Sequence, residues 1–358
     1  MRIFRLLRSV DLITMFTLWV GLLLGCGSQS IVEQAPLPQI MTIRGLIPAD
    51  SLGKSLIHEH VFLDWSVADS IDITKWNNNE AFQVIIPFLE EVKEQGVRSF
   101  FECTPAYLGR NPELLLQLTN ATGLQIVTNT GYYAARNQQH VPGHVTYSTP
   151  AQIASIWIDE FNNGIDGMEV KPGFIKIGVD SKAPLDSIDR KVVRAAAITH
   201  RNTGLTIVGH TGTDTTAAQQ LSILAEEGVD ASAFVWTHAQ RGTEDGHIRL
   251  ARRGVWISLD GLGWVDPDDI NGDSTALLQY VAFLQNLKQH DLLNRTLISH
   301  DAGWYTVGQT YQGDFKPYTP IFNHLIPTLL QKGFDQQDFR MLLVDNPAQA
   351  YALKQRLL

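Results

Sequence analysis

Between Ser55 and Asp301 the chain repeats one alternation: a short run rich in Val, Ile and Phe, then a longer amphipathic segment. Short apolar runs separated by helical patterns cannot pair as hairpins. They require crossover connections, and so a parallel sheet built from βα units. The runs predict strands at Ser55–His60, Val97–Cys103, Leu124–Thr130, Gly173–Val179, Leu205–His210, Ala233–His238, Val255–Asp260 and Thr296–Asp301. Helical patterns fall at Ala81–Gln95, Pro112–Ala121, Ser187–Asn202, Thr215–Glu227, Thr243–Arg253, Ala276–His290 and Tyr318–Gln331. Asp345-Asn346-Pro347 reads as the cap and first turn of a last helix, to about Leu357. Gly96, Gly123, Gly204, Gly228 and Gly254 stand just before the next strand, where glycine closes a helix. The order predicts an α/β fold, a (β/α)8 TIM barrel, with no domain break from Met41 to Leu358. The alternative is an open doubly wound sheet, which often carries a Gly-rich phosphate turn after its first strand; no GxGxxG occurs there.

The first 25 residues do not share the pattern. Arg2, Arg5 and Arg8 precede an apolar run from Leu12 to Leu24, short for a membrane span of ~20 residues. Leu23-Leu24-Gly25-Cys26 resembles a bacterial lipobox, with Cys26 as the lipidated residue. An ordinary secretory signal or an N-terminal anchor helix is the alternative. The expectation is a signal peptide over 1–25, a tether over 26–40, and an exported protein held at a membrane through Cys26. Cys103 is the only other cysteine, so an acylated Cys26 leaves no internal disulfide. A formal charge of -9 argues against a nucleic-acid partner, which needs a basic face. A second copy of the chain is the candidate protein partner.

In a barrel, catalytic groups sit at the C-terminal ends of several strands. Here those ends carry His58 and His60, His210, His238 and Asp301. His58 and His60 lie at i and i+2, so in a strand both point to one face and can bind one metal ion. Each residue alone has a plainer reading, a hydrogen-bonded rim residue or a helix cap. Their shared placement is what points to a metal site. Lys176 alternates with Ile175, Ile177 and Val179, which puts it inside the barrel with Phe174 and Gly178. A buried ammonium needs a partner, and Glu102 on the second strand is a candidate. Otherwise burial favours the neutral amine, which reacts with carbon dioxide to give a carbamate. With two divalent ions present, an anionic carbamate offsets charge that an ammonium would add.

The pattern resembles the phosphotriesterase family of the amidohydrolase superfamily. The matching pieces are TIRG (Thr42–Gly45), HEH (His58–His60), GVRSFFECTP (Gly96–Pro105) followed by Gly109-Arg110, GFIKIG (Gly173–Gly178), GHTG (Gly209–Gly212), THAQ (Thr237–Gln240), SHDAGW (Ser299–Trp304) and DNPA (Asp345–Ala348). The resemblance implies that His58, His60 and Asp301 hold a more buried metal, and His210 and His238 a more exposed one. Lys176, as its carbamate, would bridge them together with a hydroxide. Zinc is the first expectation, with manganese or cobalt as alternatives. It further implies attack by that hydroxide, with Asp301 taking the proton and no Ser or Cys nucleophile. Thr211 then reads as a hydrogen bonder to the site.

Substrate choice would come from loops after the strands. Tyr132, Tyr133, Trp264 and Trp304 are the candidates to line a small-molecule pocket, with packing as the plainer reading. His140, His144, His200, His247, His290, His300 and His324 are not expected to bind metal. One departure from the family is Gly261, which follows Leu259-Asp260 where the relatives carry Arg or His. The expected function is hydrolysis of a lactone or carboxylic ester. Organophosphate triester hydrolysis is the alternative, and a non-catalytic surface binding protein on the same barrel is the reading from another class.

Overall fold

The computed structural model describes residues 37–265, 274–309 and 313–358. The expected signal peptide, Cys26 and the tether up to residue 36 lie outside the described residues. The barrel strands follow the apolar runs with trimmed ends. They are β3 (Ser55–Leu63), β4 (Ser99–Glu102), β5 (Gln125–Val127), β6 (Asn129–Thr130), β7 (Phe174–Gly178), β8 (Thr206–His210), β9 (Phe234–Thr237), β10 (Trp256–Leu259), β11 (Thr296–Ile298) and β12 (Gly303–Thr306). An antiparallel hairpin, β1 (Gln39–Thr42) with β2 (Gly45–Pro48), precedes them. It begins within the stretch expected to be tether.

All barrel pairings are parallel, in the orders β11-β10-β9-β8-β7-β6 and β12-β3-β4-β5. The third strand of the barrel pairs with β4 through β5 and with β7 through β6, separated only by Thr128. The eighth pairs with β10 through β11 and with β3 through β12. Between β11 and β12, Asp301 N–H donates to the His58 carbonyl at 2.9 Å, and His60 N–H to that of Ala302 at 2.9 Å. The ring is therefore continuous in sequence, a TIM barrel whose third and eighth strands each change partner along their length.

Helices over Asn78–Glu94, Pro112–Thr122, Pro150–Asn163, Ser187–Thr203, Asp214–Glu226, Glu244–Ala251, Ser274–Gln289 and Ile326–Gln331 cover the outside. Pro150–Asn163 falls outside the expected helices, although Thr149 and Gln152 form a capping box and Ile153 and Trp157 bury one face. The last helix stops at Tyr351 rather than near Leu357. Gly123 and Gly204 close their helices at φ 75° and 76°, the left-handed conformation expected of them.

The barrel interior is a packed layer of Ile57, Phe101, Val127, Phe174, Val208 and Val235, floored by Tyr351 and by Ile40 of the hairpin. Phe101 and Tyr351 rings lie 4.3 Å apart. Each such ring removes enough apolar surface from water to contribute about 1.5–3 kcal/mol. The polar site rests above this layer. Among the described residues no helix is long and apolar enough to cross a membrane.

Candidate metal centre

The six strand-end side chains converge on one pocket, with Cys103, Pro105, Leu108, Tyr133, Trp65 and Trp304 completing its wall. His58 Nε2 lies 3.0 Å from Lys176 Nζ and 3.6 Å from Asp301 Oδ1. His60 Nε2 lies 3.1 Å from the same Asp301 oxygen. His238 Nε2 faces His210 Nδ1 at 2.8 Å. Lys176 is only 2% exposed.

The far ring nitrogens are held from outside. Asp260 receives His58 Nδ1 at 2.8 Å and His238 Nδ1 at 2.9 Å, one on each carboxylate oxygen. Thr104 Oγ1 lies 2.8 Å from His60 Nδ1. Because an anion takes the Nδ1 protons of His58 and His238, their Nε2 lone pairs turn into the pocket. Burial holds the His58 imidazolium pKa down to about 4, helped by nearby Lys176 and opposed by Asp260. Burial likewise lowers His60 and carries His210 well below its ordinary value. These three rings, His58, His60 and His210, are thus neutral, as metal ligands must be. Burial alone would raise Asp260, but His238 and His58 outweigh it and hold the carboxyl well below the usual range. Asp301 is lowered in the same way, with His238 and His60 outweighing its burial.

These donors fit divalent ions. Two ligand atoms on a tetrahedral zinc lie ~3.3 Å apart, given bonds of 2.0–2.1 Å. The facing atoms above lie 2.8 to 3.6 Å apart. The His58, His60 and Asp301 donors all lie within 4.8 Å of one another, as do those of His58, His238 and Asp260.

Asp301 is fixed by the outer face of β3. Glu59 Oε1 accepts from Ser299 Oγ at 2.7 Å, from His300 Nδ1 at 2.7 Å and from His300 N–H at 3.1 Å, while Oε2 accepts from Ala302 N–H at 3.0 Å. His300 Nε2 in turn accepts from Ile321 N–H at 3.1 Å, so this ring belongs to the outer shell. Asp301 itself sits at φ 54°, a conformation that these contacts impose.

Some expected neighbours stand elsewhere. Glu102 does not pair with Lys176. Phe101 and Cys103 face the interior, so the intervening Glu102 faces the helices, where its Oε1 takes the Thr104 N–H at 3.2 Å. Tyr132 also leaves the pocket and packs on Trp157, ring centroids 5.2 Å apart. Its neighbour Tyr133 stays, with its hydroxyl 3.2 Å from His210 Nε2. Trp304 and Trp264 each donate an indole N–H to the Asp301 carbonyl, at 2.7 and 3.0 Å; Trp264 also reaches Oδ2 at 3.3 Å. Thr211 bonds the Gly209 carbonyl rather than a ligand ring. His140 Nδ1 lies 3.2 Å from the Ser66 carbonyl, and His144 Nε2 lies 3.4 Å from the Tyr132 hydroxyl. Sequence reasoning does not single out Asp260, Thr104 or Glu59. The signal for Asp260 is its place at a strand end, two residues after the interior-facing Ser258 that donates to it at 2.8 Å.

Comparison with known proteins gives the family and the fold. The profile of the phosphotriesterase family matches residues 38–351. The phosphotriesterase homology protein of Escherichia coli is 30% identical over 84% of this chain and 99% of its own. Its crystal structure, described with phosphate in the active site, superposes with a TM-score of 0.70 over 83% of this chain and 98% of that one, at 30% identity. The aryldialkylphosphatase of Saccharolobus solfataricus is 27% identical over 86% of this chain and 97% of its own. The N-acetyltaurine hydrolase of Danio rerio is 24% identical over 86% of this chain and 96% of its own. A family match that runs from the hairpin to the last helix, with a relative of this identity along nearly its whole length, establishes that the chain belongs to the phosphotriesterase family.

Proposed function

We propose that this family hydrolase cleaves ester-type bonds, lactones or carboxylic esters in the first place, with two divalent ions held by His58, His60, Lys176, His210, His238 and Asp301. The observation that carries the proposal is the Lys176 amine, buried 3.0 Å from an imidazole nitrogen with no carboxylate bonded to it among the described residues. Burying an unpaired charge is costly, whereas a carbamate on Lys176 would supply anionic oxygens beside the ligand rings. When bound, such ions acidify a water to pKa ~7 and polarise the scissile carbonyl or phosphoryl oxygen.

The protein's own groups do the rest. Asp301 Oδ1 faces the ligand rings and is placed to take the proton that the attacking water releases. Trp264 holds the other carboxylate oxygen, which keeps Oδ1 turned inward. Leu108, Trp65 and Trp304 give the pocket an apolar wall suited to an acyl or alkyl group. Tyr133 Oη, beside His210, can donate to a substrate oxygen. Phosphotriester hydrolysis is the second reading, favoured by the relative named aryldialkylphosphatase. A panel of lactones, aryl esters and organophosphates, each assayed with zinc, manganese and cobalt, separates the readings. Turnover of lactones or aryl esters above triesters supports the first; turnover of triesters alone overturns it.

We also assign an exported, lipid-anchored location, from the basic start, the apolar run and Cys26. Replacing Cys26 by Ser should move the protein from the membrane fraction to the soluble one. An unchanged membrane fraction would refute the anchor.

A further inference from the structure

A cleft of about 690 Å³ opens on the flank of the barrel and shares no lining residue with the metal pocket. Its volume lies in the range of small-molecule sites, ~300–1,000 Å³. Trp76, Tyr107 and Tyr132 supply aromatic walls, with Ile73 and Ile156 at the exposed rim. Arg110 is 6% exposed and is already neutralised, with Glu160 taking both of its terminal nitrogens at 2.9 and 2.6 Å. Glu113, which accepts from Asn78 Nδ2 at 3.1 Å, and Asp166, which feels the Arg110 charge, also line the cleft. The cleft therefore offers π-faces and three carboxylates against a single guanidinium to whatever enters it. That combination favours a cation over a neutral molecule or an anion.

The partition between the two chambers is one residue thick. Ala106 and Tyr132 pair in a parallel bridge on the cleft side, and both line the cleft. Their neighbours Pro105 and Tyr133 line the metal pocket instead. Tyr107 and Tyr132 rings meet edge to face at 5.6 Å, and the next side chain along, Tyr133, reaches His210 Nε2 at 3.2 Å. Gly109 seals the same loop at φ 115°, where a Cβ would meet the Asp64 and Leu63 backbone at 2.8 Å.

We propose that this cleft is a second ligand site, for a small organic cation with an aromatic or branched apolar body. Its occupant acts on the metal pocket through the shared Ala106–Tyr132 wall. Binding needs only the cleft, and the coupling rests on the hydrolytic reading.

Calorimetric titration of the purified protein with phenethylammonium, and with phenethyl alcohol as its neutral counterpart, tests it. The ammonium should bind at one site, about fivefold or more tighter than the alcohol. The double variant Glu113→Gln, Asp166→Asn should lose that preference and bind the alcohol unchanged. Both side chains are solvent-facing, so the variant tests charge without disturbing the core. Saturating ammonium should alter kcat/KM for an ester about twofold or more in the wild type and not in the double variant. Equal affinities for the two probes, or an ammonium preference that survives in the double variant, would overturn the site. Unaltered kcat/KM at saturation would overturn the coupling. Absence of binding, with a dimer in sedimentation that Tyr107→Ala dissolves, would assign the cleft to a second copy of the chain instead. Calorimetry reads binding even if no ester is turned over, so a failure of the hydrolytic reading remains distinguishable.

Discussion

Asp260 Oδ2 lies 2.8 Å from His58 Nδ1, a contact between the seventh strand of the barrel and the first. The other oxygen of the same carboxylate takes His238 Nδ1 and the His238 backbone N–H, both at 2.9 Å. One buried anion thereby fixes the ring orientation of a residue in each of the two groups of donors. Asparagine at this position keeps one acceptor and turns a donor on the other ring. Asp260→Asn should weaken zinc binding about 10- to 100-fold, read by competition with a chelator. It should also lower the stability of the metal-free protein by about 3 kcal/mol, read by denaturant unfolding.

Glu59 performs the corresponding task for Asp301 without touching the pocket. Its two oxygens accept four donors from Ser299, His300 and Ala302. In Glu59→Gln an amide NH2 either faces the Ala302 N–H or displaces the three donors at Oε1. The expected cost is about 2 kcal/mol of stability, with kcat falling more than KM rises, because the Asp301 turn loses its support. Steady-state kinetics beside thermal unfolding separates the two effects.

Glu102 gives a pH dependence with a defined sign. Burial raises its carboxyl to about 8 against hydrogen bonds from Thr104 and Val61, and Oε2 has no partner. In the unfolded chain the same group ionises near 4.5. Between these values the folded state holds a proton that the unfolded state has released. Stability therefore falls as pH rises from 4.5 to 8, by up to about 5 kcal/mol. Melting temperatures of the metal-free protein across that window should show the decline, and Glu102→Gln should remove its share.

Much of this arrangement was legible in the sequence, because strand periodicity places side chains by parity. His58 and His60, Lys176 with Phe174, and His210 with Val208 all follow from alternation along a single strand. The same rule, counted from Phe101, puts Glu102 outside the barrel, where its charge had suggested an inward partner for Lys176. What sequence could not give was pairing between distant segments. Asp260 and His58 are 202 residues apart, Glu59 and His300 are 241 apart, and no local pattern ties either pair. The helix Pro150–Asn163 carried its signals, a capping box and an i, i+4 apolar pair, behind a long irregular loop that masked its start. The hairpin Gln39–Pro48 is only four residues a side and gains its order from covering the barrel floor.

Lys176→Ala should reduce hydrolysis by about 10³-fold or more, since the proposed carbamate could not form. Adding a short carboxylic acid should restore part of the activity by filling the space the side chain left. Full activity in the Ala variant, measured against the ester panel, would remove Lys176 from the site.

The most direct test is a crystal structure of protein purified without chelator, with anomalous maps at the absorption edge of the metal found in it. Two peaks are expected, one among His58, His60 and Asp301 and one beside His210 and His238, with density for a carboxyl group continuing from Lys176 Nζ. A single peak, no peak, or an unmodified Lys176 amine between two ions would contradict the proposal.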